Sequence, residues 1–411
     1  MKRLLALVLA MLMIFSLVGC GETPASTDGG SQPGITETQD NVPTSVNNGD
    51  FDAFVRPAVW SDDGSPFKVA VMIQYVTCTA ALRSMKEFDI IGNHYGWEFE
   101  YVLFEKADNF RDSFQTVLNE GDVDAILIHA TDQLSSRVDL IAEARNRGIG
   151  VYCWDADLVE GSLVNVTVKN GVVGSELFYM AYNDMYDGKK PFSAASAGWF
   201  SMPYMNERTY TWDTIAEVLP QASFYADEDV SAMGLQYGSA YAAYQTTQAW
   251  NAKTPLKDNI DCILACCDDV VYGLVEGIKA TGDTTGEFTR CATTEGGDTA
   301  LTYLRNNTPL KYVYCQPYEL EAYSVCEIIK QIQIDGLNPG DADCLLTAPG
   351  QSYFVDGVVA TMDTVPAVGN EYHAIFNYYG GDPEDPKAWW NWDTEEYPNG
   401  CLAESQYEAN F

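Results

Sequence analysis

Beyond residue 66 the chain repeats one pattern, a short apolar run followed by a segment whose apolar residues recur at helical spacing. The clearest example lies between Asp124 and Asp157. Residues 125–129 are apolar and rich in β-formers, and Ser135 or Ser136 caps the next segment. There Val138, Leu140, Ile141 and Ala144 recur at helical spacing up to Arg147 and Gly148, and 149–154 is a second buried-type run. Strand, helix and strand in that order make a βαβ unit, which requires a parallel sheet and a right-handed crossover. Ligands of open sheets of this kind bind beyond the carboxyl ends of the strands. Those ends here carry His129, Thr131 and Asp132 on one strand and Trp154, Asp155 and Asp157 on the next.

The same reading extends in both directions. A strand at 67–73 runs into Gln74 and Tyr75, a helix follows over 80–95 and closes near Gly96, and 98–104 and 109–119 give the next strand and helix. After a strand at 164–168 and a helix at 171–186 the alternation restarts. A strand ends at Gly198-Trp199-Phe200, and a helix carries Glu207, Arg208, Trp212, Ile215 and Val218. A short strand lies at 223–225, a helix at 236–250, a strand at 261–266 and a helix at 270–280. Two α/β halves of similar order imply two Rossmann-like lobes with parallel sheets and a cleft between facing strand ends.

Composition sharpens this picture mainly by exclusion. With 411 residues there is room for two lobes and extensions, and 46% hydrophobic and 12% aromatic residues describe a globular chain. A formal charge of −36 leaves too few Lys and Arg to neutralise phosphates, which argues against nucleic acid and anionic membrane surfaces as partners. Residues 1–20 read as an export signal: Lys2 and Arg3, an apolar run over 4–15, then Leu17-Val18-Gly19-Cys20. That run is short for a membrane span, and its ending resembles the lipobox of bacterial lipoproteins, which implies lipidation at Cys20. Residues 21–65, rich in Gly, Ser, Thr, Pro and Asn, read as a flexible linker. Ten further cysteines follow. Cys153, Cys262 and Cys315 sit inside apolar runs as buried thiols would, and the Cys262, Cys266 and Cys267 group has no His beside it, so no metal is expected. Residues 366–411 form an extension dense in aromatics, with Trp389, Trp390 and Trp392, and are expected to pack on the body.

The order of motifs resembles the sugar-binding type I periplasmic binding proteins, the ribose/galactose-type solute-binding components of ABC transporters. DAILIHATD at 124–132 is similar to that family's DAIIIxPTD, and GIGVYCWD at 148–155 to its GIPVVTxD. DDVVYGL at 268–274 resembles NDxMALGA, with Cys267 where Asn is usual. RTYTW at 208–212 resembles RxxGF, CQP at 315–317 resembles xQxP, and Glu295-Gly296 stands where FDG is usual. The likeness runs over about 67–336 and its strength lies in the order. It implies two lobes joined by a multi-strand hinge at 164–169, 291–295 and 316–318, with 66–166 plus 292–316 expected as the N-terminal lobe and 167–291 plus 317–365 as the C-terminal lobe. It also implies a site built from Asp155, Arg208 and Asp268, with Tyr237 and Gln316 beside them. His129 stands where an Asn is common, Ala156 where an Arg follows the Asp, and the family's Asn and paired Phe after the first strand have no counterpart beyond Tyr75, Thr77 and Cys78. These departures bear on which sugar is bound, not on the fold.

Chemistry agrees with such a site. A sugar has hydroxyls that donate and accept and an apolar C–H face, so carboxylates, amides, an Arg fork and aromatic rings suit it. Tyr75, Trp154, Trp199 and Tyr237 are the ring candidates, each equally at home in a core. Asp155 and Asp268 also fit as helix caps. The expected protein is a monomeric, extracytoplasmic lipoprotein without cofactor, tethered to the bacterial cell membrane through Cys20, which binds a small sugar and delivers it to an ABC permease. A lipoprotein presenting ligand to a chemoreceptor or sensor kinase keeps the same fold. A glycosidase using Asp155 and Asp268 is the rival from another class, and it conflicts with the need to hold paired carboxylates fixed when they come from moving lobes.

Overall fold

The computed structural model describes residues 55–104, 107–129, 138–368, 388–389 and 392. The expected signal peptide, Cys20, most of the linker, Thr131, Asp132 and most of the C-terminal extension lie outside them. The described strands are β1 (Lys68–Ile73), β2 (Glu98–Leu103), β3 (Ala125–Ile128), β4 (Gly150–Trp154), β5 (Val164–Thr167), β6 (Phe192–Gly198), β7 (Ala222–Asp229), β8 (Cys262–Ala265), β9 (Arg290–Thr294), β10 (Leu310–Cys315), β11 (Gln351–Phe354) and β12 (Val358–Ala360). They form two six-stranded sheets, ordered β11-β5-β4-β3-β1-β2 and β12-β10-β9-β8-β6-β7. Every neighbour pair is parallel except β10 with β12.

Helices on both faces account for the composition of the strands. β3, β4, β5 and β8 are buried at every position, so they read as continuous apolar runs rather than alternating ones. In each sheet the chain leaves the first-formed strand in one direction and returns on its other side, β1 between β2 and β3, and β6 between β7 and β8. Such switch points open a crevice at the carboxyl ends of the strands.

The chain passes between the sheets three times, at 168–169, 316–317 and 355–357. After β5 the helix Asn170–Met185 packs on β9 and β10, after β10 the helix Tyr318–Ile329 packs on β4 and β5, and β11 leads directly into β12. This corrects the expected division of the lobes. β9 and β10, expected in part in the first lobe, belong to the second sheet, whereas Tyr318–Ile329 and β11, expected in the second lobe, belong to the first. The reason is topological: a parallel neighbour is reached through a helix that covers the same sheet, and Asp268–Ala280 and Asp298–Arg305 carry the chain from β8 to β9 to β10 without leaving it. The expected hinge at 291–295 is therefore β9, and the third crossing is at 355–357.

The helix expected over 236–250 is two helices, Ser231–Tyr237 and Ser239–Lys253, broken at Gly238 with φ 95°. Ser239–Lys253 lies unusually close to Asp268–Ala280: a Cβ on Gly273 would stand 1.9 Å from the Ala240 carbonyl oxygen, so only glycine permits this approach. In the extension, Trp389 stacks on Tyr323 at 4.7 Å between ring centres and Trp392 on His94 at 3.5 Å.

Candidate functional site

The carboxyl ends of both sheets surround a cavity of about 290 Å³. The first lobe contributes Tyr75, Thr77 and Cys78 after β1, His129 after β3 and Asp155 after β4. The second contributes Trp199, Met202, Tyr204 and Met205 after β6, Gly234, Leu235 and Ser239 after β7, Cys267 and Asp269 after β8, and Glu295 after β9. The lobes touch around it. Tyr75 meets Trp199 edge to face at 6.3 Å, and the Arg83 guanidinium donates to the Glu295 carbonyl oxygen at 3.0 Å.

Two cavity carboxylates have unusual backbones. Asp155 (φ 41°) and Glu295 (φ 92°) are two of the three non-glycine residues in the left-handed region among the described residues. This conformation is costly for residues with a Cβ and is held only where the surroundings impose it, which is typical of binding sites. At Asp155 it turns the carboxylate away from the line of β4, where Gln316 Nε2 donates to Oδ1 at 2.8 Å and His129 Nε2 lies 3.6 Å from Oδ2. Both His129 ring nitrogens and Trp199 Nε1 are buried without a hydrogen-bond partner. A buried polar atom left unpaired costs about 1–3 kcal/mol, so these three are the least settled groups beside the cavity. The Trp199 ring lies against Gly234, where a Cβ would come within 2.6 Å of it.

Arg208, Asp268 and Gln316 are brought to the same region but stand beneath the cavity rather than on its wall. Arg208 is 1% exposed. Its Nε donates to Asn170 Oδ1 (2.6 Å), Nη1 to the Cys266 carbonyl (3.0 Å) and Thr294 Oγ1 (2.6 Å), and Nη2 to Gln316 Oε1 (2.9 Å). Gln316, at the second crossing, joins the lobes: its oxygen faces Arg208, and its nitrogen donates to Asp155 and, at 2.8 Å, to Glu321 Oε1. Asp268 heads the helix Asp268–Ala280 and accepts from the Gly297 N–H at 2.7 Å and Thr293 Oγ1 at 3.2 Å, while its own N–H donates to Glu295 Oε2 at 3.2 Å. Burial pushes the Asp268 carboxyl up to about 8 against these donors, and burial together with Asp268 and Asp269 holds Glu295 well above the usual carboxylate range.

Two expected ring contacts lie elsewhere. Trp154 is wholly buried, its Nε1 donating to Ser84 Oγ at 3.0 Å, and it reaches the site only by stacking under His129 at 4.7 Å. Tyr237 is 60% exposed beside Tyr241, because the break at Gly238 ends its helix there. Cavity residues outside the expected set of contacts include Met202, Tyr204, Met205, Ser239, Asp269 and Glu295. Among the described residues no group of three His, Cys, Asp or Glu is arranged to hold a metal ion, and the described cysteines are free thiols.

A family model described as a periplasmic binding protein domain matches residues 92–336. The chain belongs to that family. The motif order pointed to the same one, and the two-lobed sheets are its type I fold. Solved structures of this fold include a glucose-galactose binding protein from Geobacillus stearothermophilus (13% identity, 74% of this chain and 100% of that one, TM-score 0.60). A periplasmic solute-binding protein from Actinobacillus succinogenes with bound D-allose is similar at 17% identity, over 73% of this chain and 98% of that one, with TM-score 0.60. A solute-binding protein from Burkholderia graminis in complex with D-arabinose is similar at 13% identity, over 75% and 99%, with TM-score 0.62. A search among curated proteins returns no match. Members of this periplasmic binding protein family are solute-binding proteins and not enzymes, which removes the ground for a glycosidase built on Asp155 and Asp268.

Proposed function

We propose that this chain is an extracytoplasmic, lipid-anchored solute-binding protein of an ABC transporter, which takes one small sugar or related polyol between its lobes and passes it to a membrane permease. The cavity at the carboxyl ends of both sheets carries this reading, because each lobe supplies polar and aromatic groups to one shared space. At about 290 Å³ it stands at the lower end of the range of small-ligand pockets. The sugars held by the structural relatives and the signal-like residues 1–20 with Cys20 support the class and the tether.

In this reading Asp155 and Glu295 accept from ligand hydroxyls, His129 and the Trp199 N–H close the hydrogen-bond set, and the Tyr75 and Trp199 rings cover the C–H face. Arg208, Gln316 and Asp268 position these groups from below. The first lobe takes 66–167 and 318–354, the second 170–315 and 358–365, and closure is a rotation about the three crossings. The differential affinity of the ligand for the closed arrangement drives it.

A thermal-shift screen of the folded chain against sugars, polyols and nucleosides tests the reading. A true ligand at a hundred times its dissociation constant adds about 2.7 kcal/mol of stability. No shift with any hydroxyl-rich compound would sink it.

A further inference from the structure

The charge of the cavity, which the family resemblance does not specify, is its most uneven property. Asp155, Asp269 and Glu295 line it, Asp268 stands directly behind, and among the described residues no Lys or Arg is on its wall. The two guanidinium groups nearby are turned to the protein. Arg83 gives Nε and Nη2 to the Glu319 carboxylate at 2.8 and 2.6 Å and Nη1 to the Glu295 carbonyl, and Arg208 makes its four bonds beneath the floor. With Glu319 engaged by Arg83, the four carboxyl groups at the cavity, together with Glu321 behind Gln316, face one remaining arginine charge. Of the described wall residues, only His129, beside Asp155, is able to carry positive charge.

So uneven a set of charges favours the protonated form of its carboxyl groups. Burial raises Asp268, Glu295 and Glu321, and each is raised further by a neighbouring carboxylate. Protons stand in for a missing positive charge. A neutral guest leaves that arrangement unrelieved and an anionic one worsens it. A cation relieves it, and Tyr75, Trp199 and Tyr204 supply aromatic walls beside which an ammonium group is stabilised.

Resting on the sugar-site reading above, we infer that the preferred ligand is an amino sugar, a polyol bearing a protonated amino group that is held between Glu295, Asp269 and the aromatic walls. Binding then displaces a proton from the carboxyl cluster, which a neutral hexose does not do.

The test uses calorimetry on the intact folded chain with D-glucosamine and D-galactosamine, their parents D-glucose and D-galactose, the N-acetylated forms and D-glucuronate. At least one amine is expected to bind about tenfold or more tightly than its parent, N-acetylation to abolish the gain, and glucuronate not to bind. The heat for the amine should differ between buffers of different ionisation enthalpy, reporting proton release. Glu295→Gln should erase the preference for the amine over its parent, and Asp269→Asn, at the accessible side of the cavity, gives the same readout should the first variant fold poorly. Equal or tighter binding of the parent hexoses, or binding of glucuronate, overturns the charge inference and leaves the sugar-site reading standing. No binding by any of these or by the wider polyol panel overturns both.

Discussion

The floor and the wall of the cavity use the same residue types and commit them differently. Beneath it, Arg208 is fully buried and bonded to Asn170, Cys266, Thr294 and Gln316, and Arg83 holds Glu319 with two parallel bonds. On the wall, both His129 nitrogens and Trp199 Nε1 have no hydrogen-bond partner, and Asp155 and Glu295 sit in strained backbones. A satisfied buried network fixes geometry. An unsatisfied one stores a cost that something else must relieve. A polar residue of the expected type at the expected place can thus belong to either set, and only its partners tell which.

The sharpest way to break this contrast is Arg208→Ala. Removing one partner of a buried charged network leaves uncompensated groups, so stability should fall by about 3–5 kcal/mol, read as a lower denaturation midpoint at unchanged slope. A loss under about 1 kcal/mol would place Arg208 with the ligand set instead. Asp155→Asn should do the reverse. Asn tolerates the left-handed backbone and still accepts from Gln316, so stability should change by less than about 1 kcal/mol, while affinity for the ligand found by screening falls roughly 10- to 100-fold.

Asp157 gives a smaller, pH-dependent effect. Asp157, after β4, is pushed up to about 6 by burial and by Glu207 on the opposite lobe. A carboxyl whose folded value exceeds its unfolded one binds its proton more tightly when folded, so its contribution falls as pH rises from near 3.8 through about 6 and is constant above. Asp157→Asn should therefore stabilise by about 1 kcal/mol at neutral pH, discounted for partial exposure, and by nothing at acid pH. Melting curves of both proteins across that range decide it. An identical difference at every pH would point to packing. Smallest of all, Tyr237→Ala should leave stability within about 0.5 kcal/mol and ligand affinity unchanged.

Much of the fold was legible because buried parallel strands are continuous apolar runs, and β1, β3, β4, β6 and β8 fall where those runs do. The crossings between lobes were less so. Nothing in the composition of Cys291–Glu295 distinguishes a central strand from a connector, and only pairing with β8 and β10 settles it. The strand ends located Asp155, His129, Tyr75 and Trp199 at the cavity, but residue type could not separate Arg208 and Gln316, which lie under it. Tyr204 and Met205 were missed because they reach the cavity from the first turn of a helix, Pro203–Val218, whose pattern reads as core. Glu295 was noted only as a departure from a motif, and its inward aim depends on a backbone angle that no pattern of residues reveals.

The three crossings have a mechanical consequence. Each is two or three residues long, and they run side by side, since β5 neighbours β11 and β10 neighbours β12. Three short tethers in a row restrict sliding and twisting, so the closure proposed above would be a swing along a single track, with the Gln316 amide near its axle.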